Sequence, residues 1–230
     1  MQLYIGNKNY SSWSMRPWVL MKNAGIAFDE ILLRFDSFEP GSQFKNALEK
    51  LNPVGKVPCL VDEGLVVWDT LAIAEYLAEK FPAKQLWPQD MAARARARSI
   101  CAEMHSGFSA LRSACMMNIE ASLPDIGALA LRDQPAVRAD VARIETMWTE
   151  LLNQYGGPYL FGARFTIADA FYAPVCMRFI TYGLTQRPQI KEYIEAMRTA
   201  PGVADWIAAA LLEEDFLDFE EPHRSSRIQK

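Results

Sequence analysis

Histidine and cysteine are scarce in this 230-residue chain, and their placement excludes several chemistries at once. The two histidines, His105 and His223, lie far apart. The four cysteines, Cys59, Cys101, Cys115 and Cys176, show no Cys-x-x-Cys spacing. Neither a zinc site nor a disulfide scaffold is expected. No run approaches the roughly 18 apolar residues of a membrane span. The start, Met1-Gln2-Leu3-Tyr4-Ile5-Gly6, lacks a basic segment ahead of an apolar one, so a soluble, reducing, cytoplasmic setting without a membrane partner is expected. Basic excess is missing too: the formal net charge is −4, which gives no electrostatic reason for nucleic acid as a partner. Gly-x-Ser-x-Gly elbow, phosphate loop, internal repeat and low-complexity tract are all absent. What the chain has in quantity is apolar material, half of its residues, enough for a core without staples.

Residues 1–80 alternate strand and helix signals, whereas 91–213 read almost entirely as helix. The seam, 81–90, carries Pro82 and Pro88, which interrupt continuous helix. In the first part, Leu3-Tyr4-Ile5 and Phe28 to Leu33 flank a helix from about Ser14 to Ala24 closed by Gly25, a β-α-β unit that implies a parallel pair. A helix near Ser42 to Leu51 follows. Cys59-Leu60-Val61 and Leu65 to Trp68, joined by Asp62-Glu63-Gly64, then read as an antiparallel hairpin. Thr70 to Lys80 carries Leu71, Ala74, Leu77 and Ala78 at helical spacing. The order β-α-β-α-β-β-α predicts a small mixed α/β sheet covered by helices. In the second part, Val137, Val141, Ile144, Trp148, Leu151, Leu152 and Tyr155 form the core stripe of a helix ending at Gly156-Gly157-Pro158. Thr166-Ile167-Ala168-Asp169 has the spacing of a capping box. The polar tail, 220–230, is expected to fray.

Three segments carry possible chemistry. Pro58 stands just ahead of Leu60-Val61, where it cannot donate to a ladder; it belongs at a strand entrance or a bend, or in a cis bond. That leaves the Val57 backbone to face a ligand. Asp69-Thr70 stands at a helix start, where free N–H groups and the dipole favour an anion. Together these elements fit a clamp for a small peptide, held by its backbone and its charged ends. Between the first strand and helix, Ser11, Ser12 and Ser14 crowd a helix N-terminus. Ser14 is the expected N-cap, with Pro17 tolerated in the first turn, which leaves Ser11 and Ser12 to be explained. With no histidine nearby in sequence, a hydrolase triad is not expected.

Over essentially its whole length the chain resembles a cytosolic glutathione transferase. Ser11-Ser12-Trp13-Ser14-Met15-Arg16 is similar to the Ser-Ser-Cys-Ser-Trp-Arg element of the zeta class, with Trp13 where that class has cysteine. Asn52-Pro53-Val54-Gly55-Lys56-Val57-Pro58 resembles the family's Asn-Pro-x-x-x-Val-Pro segment with its cis proline. Asp69-Thr70-Leu71-Ala72-Ile73 stands where the family has Glu-Ser or Gln-Ser before Leu-Ala-Ile, and Thr166-x-x-Asp169 matches its capping motif. The resemblance implies a thioredoxin-like domain over 1–80, a linker over 81–90, an all-α domain over 91–230, and a homodimer. It implies glutathione as co-substrate, no metal, and conjugation of glutathione to small electrophilic hydrophobic acceptors, a detoxification activity. By the same resemblance Ser11, or Ser12 next to it, hydrogen-bonds the glutathione sulfur. Val57 pairs with the cysteinyl backbone and Pro58 holds that edge. Asp69 takes the γ-glutamyl ammonium, Thr70 its carboxylate, and Lys56 the glycyl carboxylate.

A serine suffices for such a reaction. A thiol of pKa about 8.5 needs about 2.7 kcal/mol of preference for its anion to shift by ~2 units. A hydrogen bond to the charged sulfur gives roughly 1.5–3 kcal/mol and a helix N-terminus about 0.3–1 kcal/mol. The absence of cysteine at 11 and 12 disfavours chemistry through a mixed disulfide, and Cys59 reads as a small buried apolar residue. The acceptor pocket is expected where the helical domain faces the serines, with Tyr10, Trp13, His105, Phe108 and Met116 as candidate lining. Arg94, Arg96 and Arg98 read as a solvated face or part of a dimer seam. Two alternatives stand beside conjugation: a glutathione-dependent isomerase, maleylacetoacetate-like, or dehalogenase; and a binding or regulatory protein of the same fold without turnover.

Overall fold

The computed structural model describes residues 1–227. Its first half builds one four-stranded sheet: β1 (Gln2–Ile5), β2 (Asp29–Leu32), β3 (Cys59–Asp62) and β4 (Leu65–Trp68), in the order β2-β1-β3-β4. β1 runs parallel to β2 with Leu3 opposite Glu30, and antiparallel to β3 with Leu3 opposite Leu60. The parallel pair needs a crossover, supplied by α1 (Ser12–Asn23). α2 (Gln43–Glu49) and α3 (Thr70–Lys80) complete the expected β-α-β-α-β-β-α order, a thioredoxin-like domain. A helical domain follows: α4 (Met91–Ser106), α5 (Ser109–Ala114), α6 (Pro124–Asp133), α7 (Pro135–Tyr155), α8 (Ile167–Tyr182), α9 (Pro188–Thr199) and α10 (Pro201–Leu212).

α1 is the hinge pin of this arrangement. It packs on α3 within its own domain and on α8 and α10 of the other, so every residue from Ser14 to Met21 is buried. A polar face is therefore missing from its sequence. Its start differs from the sequence expectation: the N-cap is Ser11, whose Oγ accepts from the Ser14 amide at 3.4 Å. Ser14 lies inside the helix, fully buried. The reason is the Gly6 amide at the end of β1, which donates to Ser14 Oγ at 3.1 Å and draws that side chain under the loop. Gly6 itself is required by packing: a Cβ there would stand 2.1 Å from the Phe35 ring.

α8 forms the floor of the helical domain. The Thr166/Asp169 capping box closes as expected, with the Thr166 amide donating to Asp169 Oδ2 at 2.8 Å. Asp169 also accepts from the Leu160 amide at 3.0 Å, and burial lifts its carboxyl to about 6. Trp148 of α7 packs edge-on to Tyr172 and Tyr193 at ring-centroid distances of 5.7 and 4.9 Å. Arg96 and Arg98 pair with Glu150 and Glu75 on the α4 surface, and Arg94 donates to the Pro88 and Gln89 carbonyls. Among the described residues no helix is long and apolar enough to cross a membrane.

The tail contradicts the expectation of fraying. Through residue 227 it lies back across the molecule as a strap; 228–230 fall outside the described residues. Glu221 is buried, accepts from the Tyr10 hydroxyl at 2.7 Å and from the Asn118 side-chain amide at 2.8 Å, and pairs with Arg224. Arg224 and Arg227 also pair with Glu120. Polar composition misled here because the charges are matched by partners more than 100 positions away in the chain.

Candidate active site

Two adjoining cavities open between the sheet domain and the helices. They share Trp13, Lys56, Val57 and Arg112 as walls. The first, about 430 Å³, is lined by Tyr10, Ser11 and Ser12, by Arg112, Met116 and Arg178, and by the rings of Phe35, Phe38 and Phe44. The second, about 450 Å³, is bounded by Pro58, Trp68, Asp69 and Thr70. Ser11, Ser12, Lys56, Val57, Pro58, Asp69 and Thr70 thus all meet one continuous groove.

Unusual backbone geometry borders the second cavity. The Val57–Pro58 peptide bond is cis, and Val57 stands two residues ahead of the β3 ladder. Asp69 caps α3 with φ 74° and ψ 134°, its Oδ1 accepting from the Leu71 amide at 2.8 Å. The Thr70 hydroxyl donates to the Trp13 carbonyl at 3.4 Å, tying the start of α3 to α1. The positive dipole end of helix α1 lies at the serine-lined wall.

Two expected lining residues stand elsewhere. His105 lies outside both walls, beneath Trp13 at 5.1 Å edge to face, with Nε2 3.4 Å from Asp69 Oδ2. Phe108 is buried at the left-handed turn that starts α5 and serves the core. Tyr10 reaches the first cavity with its ring, but its hydroxyl is committed to Glu221; burial, and then that bond, raise its pKa. Cys59 is fully buried, and desolvation raises its thiol.

The unforeseen residues are mostly cations and aromatics. Arg178 is the one cation in the largely apolar helix α8, buried, with Nε donating to the Cys115 carbonyl at 2.8 Å. A single cation inside such a run is itself a functional signal, because burial of a charge needs a reason. Desolvation, then repulsion from Arg112, brings Arg178 down to about 10. Arg16 is buried too, its Nε and Nη1 unpartnered and its guanidinium 4.2 Å from the Trp13 ring centroid. Arg112 stands 4.9 Å from the same ring. The opposing charge is Glu220, brought into the first cavity by the strap and lifted to about 7 by burial. Among the described residues no His, Cys, Asp or Glu cluster suits a metal ion.

Such a groove, at the junction of a thioredoxin-like domain and a helical domain, defines a glutathione-transferase-type fold. Residues 10–80 match the model for the glutathione S-transferase N-terminal domain, and 134–209 that for its C-terminal domain. Glutathione S-transferase 1 of Dianthus caryophyllus is 31% identical over 182 residues, 79% of this chain and 78% of that protein. A probable maleylacetoacetate isomerase of Caenorhabditis elegans is 30% identical over 173 residues, covering 75% and 76%. A glutathione transferase homologue from Burkholderia, solved with bound glutathione, superimposes with a TM-score of 0.66 at 23% identity, over 91% of this chain and 97% of that one. The chain belongs to the glutathione S-transferase family of enzymes.

Proposed function

We propose that the protein is a serine-type transferase in which Ser11 activates the thiol of glutathione for attack on a small electrophile. The observation that carries this reading is the Ser11 hydroxyl at the N-terminus of α1, on the wall of the first cavity and beside the Val57, Pro58, Asp69 and Thr70 edge of the second. Glutathione lies in the second cavity: Val57 pairs with its cysteinyl backbone, Pro58 shapes that edge, Asp69 and Thr70 hold the γ-glutamyl end, and Lys56 takes the glycyl carboxylate. The thiol proton leaves to solvent, and the Ser11 hydrogen bond and the α1 dipole hold the resulting thiolate. Ser12, half-buried beside it, is the second choice. Tyr10 does not serve, because its hydroxyl is given to Glu221. Sheet domain (1–80), linker (81–90) and helical domain (91–230) divide the labour between the two substrates.

The acceptor enters the first cavity. Its aromatic lining fits an apolar body, and Arg112 and Arg178 fit a carboxylate on it. That pairing favours one alternative, a glutathione-dependent isomerisation of an unsaturated acid in which the thiolate adds to a double bond and is expelled after rotation. The similarity to a named maleylacetoacetate isomerase supports the same choice of acceptor. The reading also includes a cytoplasmic setting and a homodimer. Calorimetry with glutathione, followed by turnover of aryl halides and of cis-unsaturated diacids by the wild type and Ser11→Ala, tests it. No glutathione binding at millimolar concentration would end the proposal.

A further inference from the structure

Ser14 is the member of the serine cluster that this reaction leaves unused, and its surroundings fix its hydrogen. It is fully buried in the first turn of α1. Its Oγ has two polar neighbours, the Gly6 amide at 3.1 Å and Ser11 Oγ at 2.8 Å. The amide can only donate, so it occupies a lone pair of Ser14 and offers nothing to Ser14's own hydrogen. Ser11 Oγ is the acceptor within reach. Between two hydroxyl oxygens only one hydrogen fits, and either side can supply it. If Ser11 supplied it, the Ser14 hydrogen would be buried without an acceptor, an arrangement folded proteins avoid. If Ser14 supplies it, the Ser11 hydrogen is turned out into the cavity.

We propose that Ser14 is a positioning residue for the thiolate: anchored by the Gly6 amide and donating to Ser11 Oγ, it aims the Ser11 hydrogen at the sulfur. The chain runs from Gly6 N–H to Ser14, from Ser14 to Ser11, and from Ser11 to the sulfur anion, each bond polarising the next. No proton is transferred along it. The sequence expectation that Ser14 caps the helix is replaced by this role, since Ser11 both caps α1 and faces the groove. The inference rests on Ser11 being the sulfur ligand.

Ser14→Ala, Ser11→Ala and the double variant are compared by ultraviolet titration of the thiolate in the binary glutathione complex, and by kcat and KM at neutral pH. Ser14→Ala is expected to raise the bound thiol pKa by about one unit and to lower kcat about threefold, recovering as pH rises. KM for glutathione stays within about twofold. Adding Ser14→Ala to Ser11→Ala costs nothing further, because the two act on the sulfur through one hydrogen. Ser14→Thr, which keeps the donor, retains a thiol pKa within about half a unit of wild type, and stands in where alanine does not fold. An unchanged thiol pKa in folded Ser14→Ala, a loss that multiplies with that of Ser11→Ala, or a folded Ser14→Thr that behaves like alanine overturns the inference, leaving Ser14 a structural tie between β1 and α1. A Ser11→Ala variant with unchanged thiol pKa overturns the parent reading instead.

Discussion

The two halves of the groove are made of different things. The second cavity is shaped by backbone: a cis Val57–Pro58 bond, an Asp69 at positive φ, and the starts of two helices. The first is shaped by side chains from distant segments, with Phe35 and Phe38 ahead of α2, Phe44 on it, Arg112 on α5, Arg178 on α8 and Glu220 on the strap. Backbone devices hold one ligand in one pose, whereas a wall of side chains can be re-cut without disturbing the fold. The first kind suits an invariant co-substrate and the second a variable acceptor.

Substitutions can break this division of labour, and the largest effect belongs to the sulfur. Ser11→Ala removes a hydrogen bond to a charged group, about 1.5–3 kcal/mol, so kcat/KM for any acceptor should fall roughly 10- to 150-fold in steady-state assays. Asp69→Asn should raise KM for glutathione about tenfold with little change in the acceptor's KM, since it removes one charge-assisted bond on that side alone. Arg178→Met, at a residue that lines the first cavity alone, should do the reverse, weakening a carboxylate-bearing acceptor about fivefold while a neutral aryl halide is unaffected. If either variant moved both KM values together, the two cavities would be one site in function.

Smaller effects concern the strap. Tyr10→Phe frees Glu221 from one bond, and hydrogen exchange at 217–224 should quicken while the acceptor's KM rises about twofold to threefold. Glu220 supplies a pH dependence. Its carboxyl is raised to about 7, mainly by burial, with Arg178 opposing and Glu221 adding to the rise. Below pH 7 it is neutral and leaves Arg178 and Arg112 free for an anionic acceptor; above pH 7 it ionises and competes. Affinity for such an acceptor should therefore fall as pH rises through about 7, and Glu220→Gln should flatten that profile.

The same contrast explains what was legible in the sequence. The order of strands and helices 1–80 followed from periodicity, proline and glycine, and α3 begins at Thr70 as its cap predicts. Local chemistry also singled out Pro58 and Asp69, which border the second cavity, because a proline before a strand and an acid before a helix are readable one segment at a time. The serine loop was half legible. That three serines crowd one helix start was plain, but which of them caps it depended on the Gly6 amide at the end of β1. The first cavity was largely hidden. Arg178 gave the one usable signal, a cation inside an apolar helix, whereas Glu220 sat in a polar tail whose partners Tyr10 and Asn118 lie far away in the chain. His105 was expected as lining because it belongs to the helical domain that faces the serines, yet its ring turns to Asp69 and Trp13.

The central claim is that Ser11 sets the thiol pKa of bound glutathione, and ultraviolet titration of the thiolate in the binary complex reads it directly. The account predicts a bound thiol about two units below the ordinary value of ~8.5 in the wild type, returning most of the way in Ser11→Ala. Equal pKa values in the two proteins would contradict it.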